Sequence, residues 1–199
     1  MILASGSPQR RAILEQLGVA FTVVVSGADE LEAGPAEEVA VENARRKAVS
    51  VATGPLTSGP AVAAAGPLAG SGVVLGVDTV VAVDGRLYGK PVDREQAADT
   101  LRALAGRSHR VISGVCVIEE DGQTRTAAAE TEVTFRPLGD AAIAWYLDTN
   151  EWRERAGGYA IQGRGAALVS SIQGDYLNVV GLPVATLLDL LPALLFPAI

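Results

Sequence analysis

A single cysteine, Cys116, leaves the chain with no internal disulfide and no cysteine-rich zinc site. A single histidine, His109, excludes chemistry that needs several, H-E-x-x-H metal hydrolysis among them. Basic residues are the minority, 16 lysines and arginines against 23 aspartates and glutamates, for a net charge of -7. That balance argues against the broad positive surface needed to bind DNA or RNA, so no nucleic-acid partner is expected. Uninterrupted apolar runs are also scarce. The longest candidate, residues 179–199, is broken by Gly181, Pro183, Asp189, Pro192 and Pro197. It reads as a packed core helix and a short tail, with no membrane partner. No basic segment precedes an apolar run at the N-terminus, so no secretory leader is expected. With the cysteine usage, this points to a reducing, cytoplasmic setting.

What remains is ample material for a core: 49% of the 199 residues are hydrophobic. Residues 1–199 are expected to form one domain. No internal repeat is visible. Residues 53–72, rich in Gly, Pro, Ala and Ser, read as a surface loop. Ile2 to Ala4 reads as a short strand. Ser7 and Pro8 form the cap and first position of a helix carrying Ile13, Leu14 and Leu17, which ends at Gly18. Phe21 to Val25 is a second strand, and Pro35 opens a helix that runs to about Ala52. Val73 to Val83 is apolar enough for a central strand, followed by an Asp84-Gly85 hairpin turn. Asp93 and Gln96 start the next helix, and two strands flank Asp121-Gly122. A helix near Asp140 to Leu147, a glycine-rich loop at 155–165, a strand at 167–172 and a helix at 183–191 complete the chain. Alternating strands and helices with inserted hairpins imply an α/β fold on a mixed sheet.

Two local rules are broken. A helix N-terminus favours acidic residues, yet the first helix opens with Arg10 and Arg11. A bound anion would resolve the conflict, with Ser5, Gly6 and Ser7 adding donors and close backbone approach. Arginines paired with nearby acids on a solvated turn would resolve it equally well. Asp78 lies inside the run Val77-Asp78-Thr79-Val80, where an unpaired carboxylate is costly. It reads as a metal ligand or a base, against a bulge residue capped by backbone donors. Lys47 shares a helix face with Ala40, Asn43, Ala44 and Val51, and Lys90 follows the hairpin in Gly89-Lys90-Pro91. Taken singly, each lysine reads as a solvated charge. His109 reads as a structural hydrogen-bonding residue.

Several ordered segments together resemble the Maf family of nucleoside-triphosphate pyrophosphatases. They are Leu3-Ala4-Ser5-Gly6-Ser7-Pro8-Gln9-Arg10-Arg11, Glu42-Asn43-Ala44-Arg45-Arg46-Lys47-Ala48, Gly76-Val77-Asp78-Thr79-Val80-Val81 and Gly89-Lys90-Pro91. Gly106 to Val111, Thr134-Phe135-Arg136, Ala156 to Gly163 and Val179 to Pro183 follow. The resemblance implies a twisted mixed β-sheet in two lobes with flanking helices and a central cleft, the architecture of the inosine triphosphate pyrophosphatases. It implies hydrolysis of a nucleoside triphosphate to the monophosphate and pyrophosphate with a divalent metal, Mg2+ or Mn2+. By position Asp78 matches the proton acceptor, and Ser5, Ser7, Arg10, Lys47 and Lys90 match the substrate site. Asp78 and Glu30 match the metal-holding acids. Thr79 and Gln162 resemble the branch acting on dTTP and UTP, while Gln9 stands where that branch commonly has arginine. Residues 53–72 are long for the family. A homodimer is an expectation from the resemblance alone. The family's association with septum formation implies a second reading, a nucleotide-binding regulatory or interaction protein.

Overall fold

The computed structural model describes residues 1–53 and 72–196. The interior of the expected loop at 53–72 and the last residues of the tail therefore lie outside the described residues. Seven strands are described: β1 (Ile2–Leu3), β2 (Thr22–Val23), β3 (Val74–Val83), β4 (Arg86–Tyr88), β5 (Ser108–Ile118), β6 (Thr124–Phe135) and β7 (Val169–Gln173). Six helices accompany them: α1 (Pro8–Gln16), α2 (Ala36–Thr53), α3 (Arg94–Leu104), α4 (Asp140–Leu147), α5 (Tyr176–Val180) and α6 (Val184–Leu190). The strands form one mixed sheet in the order β2-β1-β3-β5-β6-β7, with β4 paired to β3. The β2–β1–β3 pairings are parallel and the others antiparallel.

Strand alternation divides the molecule. Along β3, Leu75 and Val77 enter one apolar cluster with Ile13 and Leu14 of α1 and Val184 and Leu187 of α6. Val81 and Val83 enter another with Leu101 and Leu104 of α3 and Ile143 and Tyr146 of α4. These clusters are the two expected lobes, carried on one continuous sheet. Thr79 falls between them on the same row. The even-numbered row faces α2, which supplies Val39, Ala40, Ala44, Ala48 and Val51 against Val74, Val80 and Cys116. Among the described residues no helix is long and apolar enough to cross a membrane; the segment expected to be a core helix is α6, packed in the first cluster.

Two expected elements differ, and one helix is additional. The second strand is shorter than Phe21 to Val25, because pairing with the two-residue β1 covers only Thr22 and Val23. The last strand starts at Val169, not residue 167, because residues Arg164–Leu168 wind into a 3-10 turn. The Glu151 carboxylate holds the start of that turn by accepting the Arg164 amide at 2.7 Å. Helix α5 was not expected. Its five residues are too few for an apolar period, and only the Asp175 cap, bonded to the Leu177 amide at 2.7 Å, marks it.

The glycine-rich loop returns to the second cluster through Tyr159. Its hydroxyl lies 2.9 Å from His109 Nε2, and both rings meet Phe135 edge-on. His109 is therefore structural, and burial pushes its pKa down to about 4. Between the ordinary value of about 6.5 and 4, the unfolded chain takes up a proton that the folded chain excludes. Stability should fall as pH drops through that window, by about 3 kcal/mol at most, and this contribution is constant below it. Urea unfolding across the window checks this. A His109→Gln chain should show a shallower loss than the unsubstituted chain, and an equal slope would refute the assignment.

Candidate active site

The cleft opens where the sheet is incomplete. β1 pairs with β3 only at Val74 and Leu75, and β4 pairs only with Val81 to Val83. Among the described residues, 76–80 of β3 have a partner strand only on the β5 side. The chain leaving β1 turns there through Ser5, Gly6 and Ser7 into α1. The cavity between the lobes measures about 370 Å³, within the usual range of small-molecule sites, about 300–1,000 Å³. Ser5, Ser7, Gln9, Arg10, Glu30, Lys47, Asp78, Thr79, Lys90 and Gln162, the ten residues that the family resemblance implies for the site, line this one cleft.

Asp78 is at its floor, 6% exposed, on the row facing α2. Asn43 and Lys47, one turn apart on α2, reach it together. Lys47 Nζ donates to Asp78 Oδ1 at 2.5 Å and lies 2.8 Å from Glu30 Oε1. Asn43 Nδ2 donates to Asp78 Oδ2 at 3.1 Å. The cost of burying the carboxylate is thus offset by a paired ammonium and an amide donor. Asn43 also accepts the Leu31 amide at 2.6 Å and donates to the Leu31 carbonyl at 3.1 Å. It fixes the segment that carries Glu30. Asn43 had no place among the candidate residues, although its spacing on the Lys47 face was the available signal.

The two arginines at the start of α1 separate by role. Arg11 pairs with Glu15 at 2.7 Å on the exposed side, an ordinary surface ion pair. Arg10 turns inward and is 8% exposed. Its guanidinium donates to the Gly181 carbonyl at 2.8 Å, to Ser5 Oγ at 3.0 Å and to Thr79 Oγ1 at 3.0 Å. Thr79 Oγ1 is also 2.9 Å from Ser113 Oγ. Among the described residues Arg10 has no direct carboxylate partner. Burial lowers its pKa from the ordinary arginine value, and the fields of Asp78 and Glu30 oppose that shift. It brings a positive charge to the Ser5–Ser7 turn and ties that turn, β3 and the end of α5 together. Ser7 caps α1 by accepting the Arg10 amide and donates to Gln9 Oε1 at 3.1 Å. Ser7 is thus the helix cap expected from the sequence, and it also lines the cleft.

The opposite wall carries Lys90, Glu154, Arg155, Tyr159 and Gln162. Lys90 Nζ is 3.4 Å from Glu154 Oε2, and both side chains are largely exposed. The cleft thus has a buried carboxylate between a cationic turn and a second cationic wall. That arrangement suits a polyanion attacked by water at Asp78.

The chain can be placed among known proteins. A solved nucleoside-triphosphatase / dITP/XTP pyrophosphatase from Mycobacterium abscessus overlays 69% of this chain and 74% of its own, with a TM-score of 0.41 and 16% identity. A dTTP/UTP pyrophosphatase from Symbiobacterium thermophilum is 43% identical over 199 residues, covering 99% of this chain and 95% of that protein. One of the same description from Deinococcus radiodurans is 45% identical over 193 residues, 96% of this chain and 91% of that protein. A third, from Pyrococcus furiosus, is 38% identical over 195 residues, 96% of this chain and 93% of that protein. The model for the family described as Maf-like protein matches residues 1–194, which include every residue of the cleft described above. This chain belongs to the Maf-like protein family.

Proposed function

We propose that the protein hydrolyses dTTP and UTP to the nucleoside monophosphate and pyrophosphate. The observation that carries the reading is the buried Asp78, held by Lys47 and Asn43 on the floor of a cleft with cationic groups on both walls. The names of the relatives supply the base. The triphosphate lies with its charge toward the Ser5–Arg10 turn, where the helix N-terminus, the Ser5 hydroxyl and the Arg10 guanidinium oppose charge accumulation. Asp78 orients the attacking water and accepts its proton. Lys47 and Asn43 fix the carboxylate with one donor on each oxygen, and each oxygen keeps acceptor capacity for water. Gln162 and Gln9 present amides that can read a pyrimidine edge, and Thr79 positions Arg10 through its hydroxyl.

A divalent cation fits this donor set. Among the described residues no group of three or more His, Cys, Asp or Glu side chains gathers to form a cage. Two carboxylates, Asp78 and Glu30, flank the Lys47 ammonium, which brings them into one neighbourhood of the cleft and leaves their other lone pairs for a cation. One or two carboxylates completed by substrate phosphate oxygens is the usual way of binding Mg2+. Asp78 and Glu30 would hold Mg2+ or Mn2+, which supplies neutralisation of phosphate charge and polarisation of the scissile bond.

The test is a panel of triphosphates, with dTTP, UTP and methylated bases, incubated with Mg2+ or Mn2+ and resolved by chromatography. Monophosphate and pyrophosphate in equal amounts from dTTP and UTP support the proposal. Release of single phosphate, or turnover of purine triphosphates alone, would overturn it.

A further inference from the structure

Arg155 has no place in the mechanism above, yet it lines the same cleft. Its guanidinium is half-buried; burial lowers its pKa from the ordinary arginine value, and the fields of Tyr146, Glu151 and Glu154 oppose that shift. Among the described residues it forms no ion pair. Among these residues the Nε is buried without a hydrogen-bond partner, and one terminal nitrogen donates to the neighbouring Glu154 carbonyl at 3.2 Å. Half-burying a cation with so few hydrogen-bond acceptors is costly. The loop that carries it is nevertheless firmly placed. Glu154 sits at φ +57, a left-handed backbone that a non-glycine residue rarely adopts. Gly157 follows at φ +68, donates its amide to the Gly89 carbonyl at 3.0 Å and packs on Val81 so tightly that a Cβ would lie 2.7 Å from that side chain. The loop is therefore fastened both to β3 and to the segment bearing Lys90. Strain and unpaired polar atoms kept in a fixed loop mark groups that await a ligand.

We propose that Arg155 is a further phosphate-binding residue of this cleft, acting with Lys90 on the wall opposite Arg10. This rests on the nucleotide reading given above. The planar guanidinium presents a fork of N–H donors that matches two phosphate oxygens, a geometry lysine cannot copy. Glu154 pairs with Lys90 in the free protein through an exposed contact that a phosphate displaces at little cost. The triphosphate is then gripped from both walls, with Asp78 between them.

The experiment measures binding of inorganic tripolyphosphate to the full chain by calorimetry, in the unsubstituted protein, R155Q and R155K. The expected result is binding weakened by about ten- to a hundred-fold in R155Q, the scale of losing hydrogen bonds from a charged group. R155K should recover part of the loss, and both variants should keep the thermal midpoint of the unsubstituted chain. A purely structural arginine would lower that midpoint and leave the affinity of folded protein unchanged, which would overturn the proposal. So would a failure of tripolyphosphate to bind the unsubstituted chain. If R155Q does not fold, phenylglyoxal modification of the unsubstituted chain, mapped by mass spectrometry, gives the same decision. Tripolyphosphate either protects Arg155, supporting the proposal, or does not, refuting it. Turnover of dTTP by the unsubstituted chain is read separately, so a chain that grips tripolyphosphate through Arg155 but cleaves no dTTP would refute the function and leave this residue's role standing.

Discussion

Asp78→Asn should lower kcat for dTTP or UTP by about 10²–10⁴-fold, the range for removing a positioned proton acceptor, with KM and nucleotide affinity changed only a few-fold. The substitution preserves shape, so the cavity and Arg10 stay as they are. What changes is chemical: the amide cannot accept a water proton, and it offers one acceptor oxygen where the carboxylate offered two. Lys47 then retains Glu30, 2.8 Å away, so the buried ammonium is not orphaned and the fold should persist. Either Lys47 or Asn43 loses its contact to residue 78. Steady-state kinetics and equilibrium binding of dTTP under metal-free conditions separate the two effects. Turnover like that of the unsubstituted chain would remove Asp78 from the chemistry. A loss confined to KM would make it a binding residue. The same variant also addresses the regulatory reading implied by the septum association: a cellular effect that survives in Asp78→Asn does not depend on hydrolysis.

The sequence exposed this site because its residues break local rules. Asp78 in an apolar strand and Arg10 at a positive helix end both carry a local cost, and both lie in the cleft. Arg11 broke the same helix rule and has an ordinary partner in Glu15. A helical wheel separates the two only if the buried stripe of α1 is known, and Arg10 lies on it beside Ile13 and Leu14. Asn43 and Arg155 were less legible for a different reason. An asparagine on a helix and an arginine in a loop are unremarkable in sequence. Their meaning comes from what lies across the cleft, Asp78 for one and Lys90 with Glu154 for the other. The long elements were visible for the converse reason. β3, β5, β6 and α2 each run for ten residues or more, enough for a period to emerge. β2 and α5, at two and five residues, are fixed by neighbours and caps.

The link between that packing and the chemistry can be tested at Gly114, the cross-strand partner of Asp78. Helix α2 lies so close to the sheet that a Cβ at Gly114 would stand 2.2 Å from the Ala40 carbonyl oxygen and 2.5 Å from the Val41 amide nitrogen. Gly76 makes an equivalent approach to the Ala44 carbonyl oxygen at 2.2 Å. The contacts are with main chain, so no side-chain rotation relieves them. Gly114→Ala must lift α2 from β3 and β5, opening the layer packed by Ala40, Ala44 and Ala48. Overpacking of this kind costs about 3 kcal/mol or more, which for a chain of this size lowers the thermal midpoint by roughly 6–12 °C. Activity should fall as well, and in the folded fraction, because α2 carries Asn43 and Lys47. Displacing them by about 1 Å loosens the Asp78 carboxylate and costs on the order of 10²-fold in kcat. Ala40→Gly should not rescue the variant, since the obstructing atom is the backbone oxygen. Gly27→Ala serves as the comparison: no atom lies within 4 Å of its added Cβ, and its thermal midpoint should not move. Scanning calorimetry and kcat of the folded fraction decide the matter. If Gly114→Ala melts and turns over like the unsubstituted chain, the close seating of α2 is not what holds Asp78 in place.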